Sequence, residues 1–148
     1  MDNPFWQFSL KLYATAGVEN LCLQLQTQYG LNVNVLLWGC WLAEQDLLLD
    51  AEVLRQAQQS IALWQQQYVE PLRLMRQQLK DQAATKLRGK VMSAELEAER
   101  MVQDRLYAFT SEVQMSMASD CLTANVNICL RSYAAQSKLS EVLSTVTQ

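Results

Sequence analysis

The sequence predicts an all-α fold, a compact single-domain helical bundle of about six to seven helices over residues 1–148. Three observations carry this. Four glycines and two prolines in 148 residues are too few for the frequent tight turns of an all-β chain. Apolar residues recur at spacings of three and four along most of the chain, the period of a helix with one buried face. One segment, about 33–48, is apolar nearly all round, as expected of a helix at the centre of a bundle.

Asn3-Pro4 opens the first helix, an N-cap asparagine before proline at the first helical position, and the helix runs to about Ala14. Gly17 marks a break. The second helix covers Val18 to Tyr29 and ends on Gly30, the favoured residue just past a helix end. The central helix follows, capped by Asn32, and its interior Gly39 costs about 1 kcal/mol against alanine. Close approach of a neighbouring helix explains that glycine.

Asp50 caps the next helix. From it Leu54, Ala57, Ile61, Trp64, Tyr68, Leu72, Met75, Leu79, Ala83 and Leu87 form one stripe, predicting a single long helix over about 51–87. Pro71 lies in its middle and should kink it without changing its phase. Arg88-Gly89-Lys90 is the expected loop and Ser93 the next cap. A helix from Ala94 to about Met117 and a last one from Ser119-Asp120 through Tyr133 complete the bundle. The tail at about 136–148 is rich in Ser, Thr and Gln, and is expected to dock weakly or fray.

Composition narrows the function classes. Half the residues are apolar and 18% are charged, which reads as globular and ordered. No run approaches the ~20 apolar residues of a membrane span, and the Met1-Asp2-Asn3 opening lacks the basic start of a secretory leader. Cys22, Cys40, Cys121 and Cys129 sit in apolar contexts without Cys-x-x-Cys spacing, so they read as reduced, structural thiols of a cytoplasmic protein. Histidine is absent. That removes the commonest metal ligand and the side chain best suited to proton transfer near neutral pH. There is no glycine-rich phosphate loop, no Gly-x-Ser-x-Gly elbow and no Cys–His pair. No catalytic residue, metal or cofactor is nominated, and the balance leans against an enzyme.

The opening block carries a resemblance. Phe5-Trp6, Gly17-Val18, Cys22-Leu23-x-Leu25-Gln26, Gly30, Val33-Asn34-x-Leu36-Leu37 and Trp41-Leu42 together resemble a family of small uncharacterised proteobacterial proteins defined mainly by this portion. The resemblance covers about residues 4–110. It implies a bacterial, cytoplasmic, helical protein and brings no activity or site residue with it.

Charge is unevenly distributed. Residues 71–90 carry a net +5 between flanks of −5 and −3, within a chain of net charge −3. Arg73, Arg76 and Lys80 share one face at helical spacing, and Lys86, Arg88 and Lys90 extend it. Such a face suits an anionic macromolecule or an acidic protein surface; whole-chain acidity disfavours nucleic acid. The plainer reading is a solvated face balancing the acidic flanks.

Trp38, Trp41, Trp6 and Trp64 read as core before they read as interface anchors. Asn34 falls in the first turn of an apolar helix, where its amide should cap or bridge to a neighbour. The carboxylates at Glu44, Asp46, Asp50 and Glu52, and at Glu95, Glu97 and Glu99, read as solvated helix ends. The leading expectation is a non-enzymatic interaction or adaptor protein that binds a macromolecular partner through its basic face (73–90) or an apolar groove. The alternative is a carrier of a small apolar ligand held between helices, and an unrecognised enzyme stands third.

Overall fold

The computed structural model describes residues 3–148; Met1 and Asp2, two of the three residues of the opening read as leaderless, lie outside the described residues. The elements run α1 (Pro4–Tyr13), α2 (Val18–Tyr29), α3 (Val33–Glu44), β1 (Leu47–Leu48), α4 (Ala51–Trp64), α5 (Glu70–Gln78), α6 (Thr85–Glu112), β2 (Ser116–Met117), α7 (Leu122–Ser132) and α8 (Leu139–Val146). The fold is all-α apart from one small antiparallel ribbon, β1 on β2, with Leu47 opposite Met117 and Leu48 opposite Ser116.

The helix starts follow local chemistry. Asn3 Oδ1 accepts from the amides of Phe5 and Trp6 at 2.9 and 3.2 Å, Asn32 Oδ1 from Asn34 at 3.0 Å, and Asp50 Oδ1 from Val53 at 2.8 Å. α3 is the centre of the molecule: residues 34–42 are all buried, and α1, α2, α6 and α7 all pack on it. Trp38 is fully buried, its indole donating to Thr110 Oγ1 at 3.0 Å, and Trp41 packs between a tilted Phe5 ring and an edge-on Tyr107 ring. Gly39 lies where α7 comes closest, as a packing glycine should.

Four boundaries differ from the sequence expectation. α3 stops at Glu44 rather than Leu48, because Asp46 turns into the left-handed region (φ 57°) and Leu47–Leu48 pairs with β2. Asn125 holds that ribbon from α7: its fully buried amide accepts from Leu49 N at 2.8 Å and donates to the carbonyls of Leu47 and Gly39 at 2.9 and 3.1 Å. The long helix ends at Gln78, followed by a 3-10 turn at Leu79–Asp81, instead of running to Leu87, and the chain reverses at 82–84, with Gln82 extended. The expected 88–90 loop and Ser93 cap instead lie inside α6, a single 28-residue helix. Packing of α6 on α5 outweighs the small local penalty of Gly89, around which a side chain would meet open space. α6 also ends at Glu112, before the expected Met117.

Pro71 is absorbed by a π turn. α4 continues without a break through a π-helical turn, Gln65–Val69, into α5, where proline occupies the first turn. A π turn inserts one residue into an α-helix, and one residue is about 100° of rotation. The buried face therefore moves one position along. Val69 is fully buried while Tyr68 is exposed, and Arg76 turns inward while Met75 turns out. The apolar stripe does not keep its phase, contrary to expectation.

Residues 136–148 form a short 3-10 turn and α8, with Val142 buried and α8 packed on α7 and α2. No helix is long and apolar enough to cross a membrane among the described residues. All four cysteines are buried and free.

Candidate functional site

The π turn decides what happens to the basic segment. Arg73 and Arg76 do not face solvent but α6, where two glutamates meet them. Arg73 Nη2 lies 3.1 Å from Glu99 Oε1 and its Nε 3.5 Å from Glu95 Oε2. Arg76 grips Glu95 with both ends of its guanidinium, Nη2 at 3.2 Å from Oε2 and Nε on Oε1. Hydrogen bonding to Glu95 raises the Arg76 pKa further. Glu95 and Glu99 are thus mid-helix partners of the arginines rather than the solvated helix end expected. Glu97 is exposed.

The other four candidates separate from these two. Lys80, Lys86 and Lys90 are exposed, and among the described residues none of them makes an ion pair. Arg88 is half-buried and donates from Nε to the Arg76 carbonyl at 3.4 Å. The six cations therefore do not form one free patch. Two are neutralised within the fold, and three lysines mark the far end of the α5–α6 hairpin.

Beside the arginine–glutamate cluster, a cleft of about 440 Å³ opens between that hairpin and α1, α2 and α3. Its residues come in helical registers: Trp6, Ser9, Leu10 and Tyr13 from α1, and Met92, Glu95, Leu96, Glu99 and Gln103 from α6. Leu10, Leu23, Met92 and Leu96 line it while each keeps 43–55% of its surface exposed, an apolar group unlike the scattered single residues of an ordinary surface. Arg100 sits over the Trp6 ring, 5.4 Å from its centre.

Deeper residues of the cleft are polar and underused. Gln103 Nε2 donates to Asn34 Oδ1 at 2.9 Å, bridging α6 to α3; this is the bridge expected of Asn34. The other end of the same amide, Gln103 Oε1, has no hydrogen-bond partner, and neither has Ser9 Oγ, though both atoms are buried. Tyr13 stands in the same lining with its phenol pKa pushed up to about 12, by burial first and then by the charges of Cys22, Glu19 and Glu99, against the opposing pull of Arg73. Burial also raises the Glu99 pKa, its desolvation outweighing the attraction of Arg73. With no base in hydrogen-bond reach, Ser9 Oγ is a hydrogen-bonding group and not an activated nucleophile. No cluster of three or more metal-ligating side chains occurs among the described residues.

Sequence reasoning missed Ser9, Leu10, Tyr13, Leu23, Met92, Leu96 and Gln103. One signal was there to read: Glu95, Glu99 and Gln103 recur every four residues, a polar stripe along a helix with an apolar core face.

A family model described as "Protein of unknown function (DUF2390)" matches residues 4–106. No curated protein and no solved structure matches the chain. Every lining residue of the cleft lies inside the matched range, from Trp6 to Gln103, whereas β2, α7 and α8 lie beyond it.

Proposed function

The chain belongs to that family of proteins of unknown function, and from the cleft we propose that the protein is a binding protein, taking a small amphiphilic ligand between the α5–α6 hairpin and α1–α3. One observation carries the reading: Ser9 and Gln103 line a cleft together with four exposed large apolar side chains, and each has a buried polar atom, Ser9 Oγ and Gln103 Oε1, without a partner. A buried polar group without a partner costs about 1–3 kcal/mol, and an exposed apolar group loses the benefit of burial. A ligand with an apolar body and a polar head would relieve both together. A volume of about 440 Å³ also falls within the usual range of small-molecule sites. The reading is tested by screening medium-chain amphiphiles against the full chain by thermal shift and native mass spectrometry. Binding should disappear in Leu96→Arg and Leu10→Arg, with melting temperatures little changed, since both residues are about half exposed. Retained binding in both variants would place the ligand elsewhere.

A second reading keeps the basic segment. Lys80, Lys86 and Lys90 are exposed and unpaired among the described residues, which suits an acidic protein surface; the net charge of −3 disfavours nucleic acid. On this reading the protein is a macromolecular adaptor. Reversing the three lysines to glutamate should then abolish co-purification of the partner, and added salt should weaken it. We place the protein in the bacterial cytoplasm, where four buried, unbridged thiols are at home.

A further inference from the structure

We infer, resting on that reading of the cleft, that its ligand carries an uncharged head group able to donate a hydrogen bond, a hydroxyl or a primary amide, on an apolar body.

Charge balance gives the first half of the argument. Two cations and two anions line one wall, and they satisfy each other: Arg73 with Glu95 and Glu99, Arg76 with Glu95. All four sit on helices, and the Glu95 side chain is only 10% exposed. A carboxylate head would have to displace a glutamate already held by both ends of a guanidinium. An ammonium head would have to displace an arginine or settle on Glu19, a lining carboxylate in the first turn of α2 that is exposed, where solvent screens the attraction. Neither exchange gains a charge pair, and each would move a charge from water into a partly dry site, which is unfavourable without a new partner.

The orphaned atoms give the second half. Gln103 Oε1 is a carbonyl oxygen and can only accept, while the amide nitrogen on the other side of the group points at Asn34 Oδ1, 2.9 Å away. A donor must therefore come from the ligand. Ser9 Oγ can donate or accept, so a hydroxyl or amide head can give one hydrogen bond to Gln103 and exchange another with Ser9. Both residues line the same cleft. The apolar body then lies along Leu10, Leu23, Met92 and Leu96.

The test is a set of probes that share one chain and differ only in the head: 1-octanol, octanamide, methyl octyl ether, octanoate and octylammonium, titrated calorimetrically against the full chain. Octanol and octanamide should bind about tenfold or more tighter than the ether, which cannot donate, and than both ions. In Gln103→Met, whose side chain is apolar and of similar length, the preference for octanol over the ether should collapse towards one. Ser9→Ala should narrow that preference too, and serves if Gln103→Met fails to fold. Tightest binding of octanoate or octylammonium would overturn the head-group assignment while leaving the cleft as the site. An octanol-to-ether ratio unchanged in both variants would overturn it as well. Failure of all five probes to bind wild type would overturn the cleft reading itself.

Discussion

Arg73 and Glu99, twenty-six positions apart in the chain, meet at 3.1 Å across the α5–α6 interface, and a single inserted residue upstream puts them there. In an uninterrupted α-helix the stripe from Leu54 onward would carry Tyr68 and Met75 inward and leave Arg73 and Arg76 to solvent. The π turn at 65–69 rotates everything after it by about 100°, so the arginines face α6 and the cleft acquires a charged wall in place of an apolar one.

That rotation makes a direct prediction. Val69→Ala should destabilise the protein by about 2 kcal/mol, in the range of buried aliphatic truncations, because Val69 is fully buried. Tyr68→Ala, although it removes far more side chain, should cost less, since Tyr68 is 47% exposed, its ring lying against Trp64 with centres 4.4 Å apart. Denaturant unfolding of the two variants orders them. The reverse order would mean that the helix runs through Pro71 in simple α phase.

Glu99 links the cleft to pH. Its folded-state pKa lies above the ordinary carboxylate value, with burial the largest cause and the charge of Arg73 opposing it. Only at pH values between the unfolded and the folded pKa does the folded protein hold a proton that the unfolded chain has released. The stabilising contribution of this site is complete below the unfolded value of about 4.3 and is lost as pH rises through the folded value. In Glu99→Gln that dependence is absent. The melting temperature of wild type minus variant, followed upward from about pH 4, should fall through this window. A difference that grows with pH would show Arg73 dominating the site instead.

Much of the fold was legible because it is written in short-range chemistry. Asn3, Asn32 and Asp50 announce three helix starts by side-chain caps, and Gly30 announces an end. The all-apolar run around Trp38 could only be central. The misses have one physical character, in that tertiary packing overrode a local signal. Gly89 lies inside α6 with no helix break, while the chain turns at 82–84 without glycine or proline. The π turn has no strong marker beyond Pro71 two residues later, so the sense of rotation, and with it the fate of Arg73 and Arg76, could not be read from spacing. Beyond the polar stripe of Glu95, Glu99 and Gln103, the cleft was illegible for the same reason. Ser9 and Gln103 are ordinary polar residues until α1, α3 and α6 close around them.

The cysteines should report global unfolding and little else. Burial pushes the thiols of Cys22 and Cys40 up to about 12, and it raises those of Cys121 and Cys129 as well. An ordinary thiol, with a pKa near 8.5, is partly ionised at pH 8; these stay protonated and covered. A disulfide reagent at pH 8 should react slowly with the native protein and release four equivalents once guanidinium unfolds it. Cys121 should react first, since it sits at the start of α7 with its Sγ bonded to the Leu47 carbonyl of a two-residue ribbon, at 3.3 Å. Because the raised pKa values favour the folded state only while the thiols hold their protons, stability should also decline as pH rises from about 8.5 towards 12. Rapid labelling of all four in the native state would mean that α3 and α7 open readily.

Gly39 and Cys129 define how closely α3 and α7 approach. A methyl group on Gly39 would lie 3.0 Å from Cys129 Sγ, inside normal contact, but 3.6 Å from the Asn125 carbonyl, which is ordinary contact. Two effects therefore oppose each other in Gly39→Ala. Alanine gains about 1 kcal/mol of helix propensity, and overpacking against a fully buried thiol loses about 1–3 kcal/mol. The net change in the single variant should be destabilising. Cys129→Ala alone should also destabilise, by leaving a small void. In the double variant the new methyl occupies part of that void and the propensity gain is no longer offset, so Gly39→Ala made in the Cys129→Ala background should stabilise. The coupling between the two sites should exceed about 1 kcal/mol, well beyond the few tenths expected of independent positions, and urea unfolding of the four proteins in the cycle measures it. Additive effects would mean that something other than Cys129 makes glycine necessary at position 39.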